Sequence, residues 1–175
     1  SDEDGDATHA GWGVSSELSP LLLKQQAGDV LAGLLDSGTL PIYPQLKVAT
    51  AATNIAHRLQ PWRWVDEYHL DPDHGNEVFW YERKAALSLE TAQRMLAEYG
   101  HDVPEVQEAL ESLVGADRML AHIAIDDAIA AGGDDFALSR AAFHMERGDR
   151  YADQGRESKA IKEYGSAWDW ALRSL

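Results

Sequence analysis

Apolar residues recur every three or four positions along most of this chain, which is the spacing of one face of an α-helix. The first such run starts at Ser19 and Pro20, an N-cap residue followed by a first-turn proline, and it stops at Asp36, Ser37 and Gly38. The strict alternation that is typical of β-strands is nearly absent. We therefore predict an all-α fold, a single-domain bundle of six or seven helices.

Proline and glycine residues divide the rest of the chain into further helices. Prolines 41 and 44 predict an extended connection over 39–44, because each proline disfavours helix at the residue before it. We predict later helices over 45–59, 76–99, 104–131, 135–154 and 157–173, with a short helical turn starting at Pro61. In the second helix, the residues predicted to face the core are Leu46, Ala49, Ala52, Ile55, Ala56 and Leu59.

The last two helices carry a spacing of small and aromatic residues that resembles one tetratricopeptide repeat hairpin. Its members are Gly148, Tyr151, Ala160, Tyr164 and Ala167. Such hairpins need about three copies to bury a continuous core, and no second copy is present. The alternative interpretation is a pair of antiparallel helices that closes the bundle.

Charge and composition narrow the classes of partner. The chain has 30 acidic and 15 basic residues and a formal net charge of −15, so its surface repels phosphate backbones and anionic headgroups. We expect no nucleic-acid partner. There is no cysteine, which excludes disulfides and thiolate metal sites. No apolar run approaches the roughly 20 residues that span a bilayer.

The N-terminal residues favour an exported protein. Residues 1–13 are acidic and glycine-containing, so we expect a flexible segment followed by one helical domain over 14–175. The chain begins at Ser1, and its first residues are too acidic to be a signal peptide. We interpret this start as a mature terminus left by cleavage, which predicts a secreted or extracellular protein. A chain trimmed there for another reason would begin in the same way.

The stretch from Trp64 to Gly75, WVDEYHLDPDHG, holds the densest group of candidate ligands. His69, Asp71, Asp73 and His74 combine imidazole with carboxylate, a ligand set that suits zinc or copper. The alternative is a polar elbow with a structural role. In that case Asp71 or Asp73 caps the next helix, a histidine hydrogen-bonds across the bend, and the ring of Trp64 or Phe79 packs beneath it.

Charged residues on the longest helix favour structural roles. Asp117 and Arg118 are expected to form ion pairs or hydrogen bonds between helices, and His122 and Asp126 share one face. No set of groups points to acid–base or nucleophilic catalysis, so we predict that the protein is not an enzyme.

Six tryptophans are an excess for a chain of this length. We predict that Trp64 and Trp80 lie in the core. We predict that Trp62 and Trp170 lie on the surface, where a flat ring can bury much area against a partner.

Three motifs resemble a helical module of unknown function found in predicted secreted bacterial and archaeal proteins. They are an HLDPxHG elbow at 69–75, an ADRxLAxxAI helix at 116–128, and a GD…G…AIxxYxxAW tail at 148–168. The resemblance covers about residues 64–175. It implies an exported, all-helical module and no catalytic residue.

Together these observations favour an exported, non-catalytic helical module that binds a protein partner or its own copies, with no cofactor. The alternative hypothesis is a small metal-binding protein that holds zinc or copper in the His/Asp elbow at 69–74.

Overall fold

The computed structural model describes residues 18–175 and is almost entirely helical there. Its helices are α1 (Pro20–Asp36), α2 (Ile42–Arg58), α3 (Gly75–Glu98), α4 (Pro104–Ala130), α5 (Asp135–Asp153) and α6 (Glu157–Arg173). The all-α prediction is confirmed, with six helices in the described part of the chain. The flexible segment predicted over 1–13 lies outside the described residues.

Most helix boundaries follow the local signals. The Ser19 hydroxyl accepts a hydrogen bond from the Leu22 amide at 3.2 Å and so caps α1. The Asp134 carboxylate accepts one from the Ala137 amide at 2.9 Å and caps α5. Gly100 follows α3 with a φ of 71°, which is the left-handed conformation that glycine adopts freely at a helix end.

The start and the inward face of α2 differ from the prediction. The helix begins at Ile42, so Pro44 lies in its first turn, where the missing amide hydrogen costs no hydrogen bond. Leu46, which was predicted to face the core, is instead exposed. The face that packs against the bundle consists of Pro44, Val48, Ala51, Ile55 and Arg58.

A small β-hairpin, which was not predicted, follows the short helical turn at Pro61. After a 3-10 turn over Pro61–Arg63, β1 (Trp64–Asp66) pairs antiparallel with β2 (His69–Leu70). The Glu67 carbonyl at the hairpin tip accepts a hydrogen bond from the Leu21 amide at 3.2 Å, which satisfies a free amide in the first turn of α1. The hairpin thus connects the elbow to the start of the first helix.

The apolar core consists of adjoining clusters. The larger one fills the space among α1, α2, α3 and α4, and Ile161 of α6 also belongs to it. A second cluster lies among α3, α4, α5 and α6 and includes Leu70 of the hairpin. Val114 packs against both clusters. The core is therefore continuous from α1 to α6.

The α5–α6 pair forms a close antiparallel hairpin, as its spacing of small and aromatic residues predicts. The backbone at Gly148 of α5 lies against the ring of Tyr164, which is fully buried. A β-carbon at position 148 would lie 2.5 Å from that ring. The absence of a side chain at Gly148 is what allows the two helices to approach.

We expect Gly148→Ala to destabilise the protein by about 1–3 kcal/mol, because a methyl group there would overlap the Tyr164 ring in a packed core. Gly33→Ala in α1 is the matched control, since no atom lies within 4 Å of the new β-carbon. It should instead stabilise the protein by about 0.5–1 kcal/mol, the helix-interior cost of glycine relative to alanine. Urea denaturation of both variants measures this, and equal effects would contradict the close approach.

Candidate functional site

The elbow is held in place by two buried arginines. Arg63 donates a hydrogen bond to Glu77 at the start of α3, at 2.5 Å. Arg58, at the end of α2, lies 3.6 Å from the same carboxylate and stacks over the ring of Tyr81 at 3.3 Å. The Arg63 hydrogen bond holds the pKa of Glu77 below its usual range. These contacts tie the elbow to α2 and α3.

The imidazole of His69 lies between two carboxylates. Its Nδ1 is 2.8 Å from Asp66, in the same hairpin, and its Nε2 is 2.9 Å from Asp127 on α4. The hydrogen bond to Asp66 is the main cause of a raised pKa for His69, and Asp127 adds to it. His69 therefore links the hairpin to α4, a contact that the sequence motif did not indicate.

His74 pairs locally with Asp71. Its Nδ1 lies 2.8 Å from Asp71 Oδ1, and the same oxygen accepts a hydrogen bond from the Asp73 amide at 2.9 Å. The side chains of Asp71 and Asp73 do not cap α3. The N-cap position belongs to His74, without a side-chain hydrogen bond, and the Asp71 carbonyl accepts from the Gly75 amide at 2.9 Å. The capping role predicted for Asp71 or Asp73 is therefore wrong.

Of the four candidate metal ligands, only His74 and Asp71 therefore contact each other through their side chains. His69 contacts Asp66 and Asp127, whereas His74 contacts Asp71. Within residues 18–175, no three histidine, aspartate or glutamate side chains form a group that could hold a metal ion. Zinc or copper binding at His69, Asp71, Asp73 and His74 stays a prediction, and it requires these side chains to rearrange.

The packing beneath the elbow involves Trp168 and Phe79. Gly75 lies directly against the Trp168 ring, which packs on Phe79 with ring centres 5.8 Å apart. Phe79 was expected here, but Trp168 was not. Trp64 is half-buried, and its indole nitrogen donates a hydrogen bond to the Arg58 carbonyl at 3.0 Å.

Trp80 and Trp62 are both on the surface. Trp80 is 50% exposed, so its predicted core position is wrong. Its ring is covered by Lys84 at 3.5 Å and meets Tyr81 edge-on at 4.6 Å. Trp62 is 51% exposed, as predicted, and packs edge-on against His74 with ring centres 4.9 Å apart.

The outer face of the α5–α6 hairpin carries a ribbon of alternating aromatic and arginine side chains. Phe136 is 68% exposed and meets Trp170 edge-on, with ring centres 6.2 Å apart. Arg140 lies 5.3 Å from the Phe143 ring and 5.7 Å from the Trp170 ring. We define the α5–α6 ribbon as Phe136, Arg140, Phe143, Arg147, Tyr151, Trp170 and Arg173.

The ribbon continues along both helices at the spacing of one helix face. Arg147 lies 5.5 Å from the Phe143 ring and 6.0 Å from the Tyr151 ring. Arg173 lies 5.3 Å from the Trp170 ring. An arginine beside the face of an aromatic ring is attracted to it, which holds both groups in place. Trp170 was predicted to be a surface residue and is half-buried within this ribbon.

Beneath the ribbon, ion pairs hold α5 against its neighbours. Glu163 of α6 is buried and lies 2.7 Å from His144 and 3.5 Å from Arg147. Arg118 of α4 pairs with Asp149 through two nitrogens, at 2.7 and 3.0 Å. This confirms the structural role predicted for Arg118. The Tyr164 hydroxyl also donates to Asp149 at 2.8 Å.

The interior holds a further charged group that sequence reasoning missed. Lys24 of α1 contacts both Glu82 of α3 and Asp117 of α4, and all three side chains are fully buried. Asp117 was predicted to form an interhelical ion pair, which is confirmed, but Lys24 and Glu82 were not expected inside. We call these three residues the buried triad.

Comparison with family models, with curated proteins and with solved structures finds no match to this chain. The resemblance to a secreted helical module therefore stays a prediction. Among residues 18–175, no helix combines the length and the apolar character needed to cross a membrane.

We expect NMR titration to give His69 a pKa above that of a free histidine, and Asp66→Asn to lower it. A raised pKa means that the pairing stabilises the fold below the usual histidine pKa and that this contribution is lost as pH rises through the raised value. Asp73→Asn is the control, since Asp73 forms no described contact with His69. A His69 pKa no higher than that of a free histidine in the unmodified protein would show that the pairing is absent in solution.

Alanine variants at positions 71 and 73 separate the structural and metal-binding interpretations. We expect Asp71→Ala to lower the melting temperature more than Asp73→Ala, because Asp71 accepts hydrogen bonds from both His74 and the Asp73 amide. If the elbow is structural, adding a chelator should change the melting temperature of neither variant. A loss of stability with chelator, restored by zinc or copper, would instead favour the metal site.

Proposed function

We propose that this protein is an exported, non-catalytic helical module that binds another protein through the α5–α6 ribbon. The observation that carries the proposal is the ribbon itself, a set of partly exposed rings interleaved with arginines. Tryptophan, tyrosine and arginine are the residues that dominate binding energy in protein interfaces. The ring stacking limits the side-chain entropy that a partner's binding would cost.

The distribution of charge supports a partner that is acidic at its contact surface. Residues 134–175 contain seven basic and eight acidic residues, whereas residues 1–133 contain eight basic and 22 acidic ones. The α5–α6 region is therefore nearly neutral in a strongly acidic chain. Of its acidic residues, Glu163 is buried and paired beneath the ribbon. Exposed arginines in this setting favour carboxylates from a partner.

The partner that fits this surface is a protein segment that carries carboxylates beside apolar side chains. Its apolar groups would cover Phe136 and Phe143, and its carboxylates would approach Arg140 from solvent. Arg173 already pairs with Asp169 at 2.7 Å. Association with a second copy, whose residues 1–133 are rich in carboxylates, is the self-assembling form of the same function. The export and the absence of catalysis rest on the resemblance and on the lack of a catalytic set in the sequence.

The double variant Phe136→Ala with Arg140→Ala tests the proposal. We expect it to weaken capture of partners from the native extracellular fraction about fivefold or more, because loss of one central contact in an interface costs over 1 kcal/mol. Size-exclusion chromatography with light scattering tests self-association in the same samples. Raising the salt concentration should weaken binding by screening the arginines.

The matched control is Tyr43→Ala with Lys47→Ala on α2. These residues are also an exposed aromatic and an exposed base four positions apart. The control should bind as the unmodified protein does. Equal losses in both double variants, or a monomer that retains no partner, would contradict the proposal.

A further inference from the structure

The buried triad brings an amine and two carboxyl groups into contact in a dry interior. Lys24 Nζ contacts Glu82 Oε2 and Asp117 Oδ1, and each of the three side chains has no exposed area. The partners are 58 and 93 positions from Lys24 in sequence, so only the folded chain assembles them. None of these residues belongs to the elbow or to the α5–α6 ribbon.

An ion pair alone leaves this group incompletely satisfied. One lysine faces two carboxyl groups, and two of their oxygens, Glu82 Oε1 and Asp117 Oδ2, accept no hydrogen bond from any described donor. Burial and the neighbouring Asp117 charge raise the pKa of Glu82 well above its usual range, against the opposing charge of Lys24. Burial thus favours the protonated form of Glu82. A proton on Glu82 can pass to Asp117, because both carboxyl groups contact the same Lys24 amine.

We propose that the buried triad is a site of self-modification, in which Lys24 and Asp117 condense to form an intramolecular amide bond with Glu82 as the proton carrier. The reaction forms the bond from Lys24 Nζ to Asp117 Cγ and releases one water molecule. It involves no oxidation or reduction and needs no other reactant. Folding brings the two groups together. Well-oriented intramolecular reactions reach effective molarities of about 10⁵–10⁸ M.

The proton movements balance within the triad. A proton that passes from the Lys24 ammonium to the Asp117 carboxylate neutralises both groups. Burial favours this transfer, whereas the charges of Asp117 and Glu82, which leave the pKa of Lys24 raised, oppose it. The lone pair of Nζ then attacks Asp117 Cγ, while Glu82 donates its proton to an Asp117 oxygen and accepts one from Nζ. When the C–O bond breaks, Glu82 again passes a proton to the departing oxygen, which leaves as water, and regains one from the remaining hydroxyl.

The resulting bond would join α1 to α4 across the core. It would close a loop over residues 24–117, about half of the chain, without cysteine. A link of that kind restricts the unfolded state. An amide is also unaffected by reducing agents. Such a link fits a chain that has no cysteine with which to form a disulfide.

Mass spectrometry of the intact, denatured protein tests the proposal directly. We expect the chain to be lighter than its sequence by the mass of one water molecule. Trypsin cleaves after lysine and arginine, so a free Lys24 gives separate peptides 1–24, 25–47 and 95–118. The amide instead gives peptide 1–47 joined to peptide 95–118. A full sequence mass with all three linear peptides would overturn the proposal.

Variants assign the roles within the triad. Asp117→Ala should restore the full sequence mass, and Glu82→Gln should do the same while circular dichroism still shows a helical fold. Glu90→Gln, two turns further along α3, is the matched control and should keep the water loss. An amide between Lys24 and Glu82, or undiminished water loss in Glu82→Gln, would contradict the assigned roles. The mass of the unmodified protein decides the main claim even if a variant fails to fold.

Discussion

The contact of Lys24 with Glu82 and Asp117 is the constraint on which the arrangement of the helices depends. These side chains come from α1, α3 and α4 and are fully buried. Apolar contacts among leucines and alanines tolerate small shifts between helices, whereas a buried charge must meet its partner. Removing one partner of a buried ion pair typically costs about 3–5 kcal/mol. The triad therefore fixes the register of three helices at once.

The positions of the elbow and of the α5–α6 ribbon depend on how α1, α3 and α4 are arranged. With α1, α3 and α4 fixed, α6 packs against α3 through close contacts of Gly165 with Phe79 and of Gly75 with Trp168, and it also packs against α4. The elbow is held over this region by Arg63 and His69. Helix α5 packs mainly against α6 and less extensively against α4. Its outer face has no neighbour within residues 18–175, and this is where the α5–α6 ribbon lies.

Local sequence signals predicted most helix ends. They did not predict the features that depend on contacts between residues far apart in the chain. Caps, prolines and glycines placed most helix ends correctly, but Pro44 was read as extended although a first-turn proline suits a helix. The hairpin strands are too short to show alternation. Lys24 lies on the buried face of α1 with Leu23 and Ala27, and Glu82 lies on the buried face of α3 with Phe79. A search for apolar periodicity misses both residues because they are charged. Trp80 was misplaced because Lys84, not the core, covers it.

Lys24 is buried in the middle of the helical bundle, and amine labelling measures this burial most directly. The folded protein would be treated with an amine-acylating reagent, and each lysine then quantified by peptide mapping. The exposed lysines are Lys47, Lys84, Lys159 and Lys162. We expect these four to react with the reagent and Lys24 to remain unmodified. Modification of Lys24 in the folded protein at the rate of Lys47 would show that Lys24 is not buried.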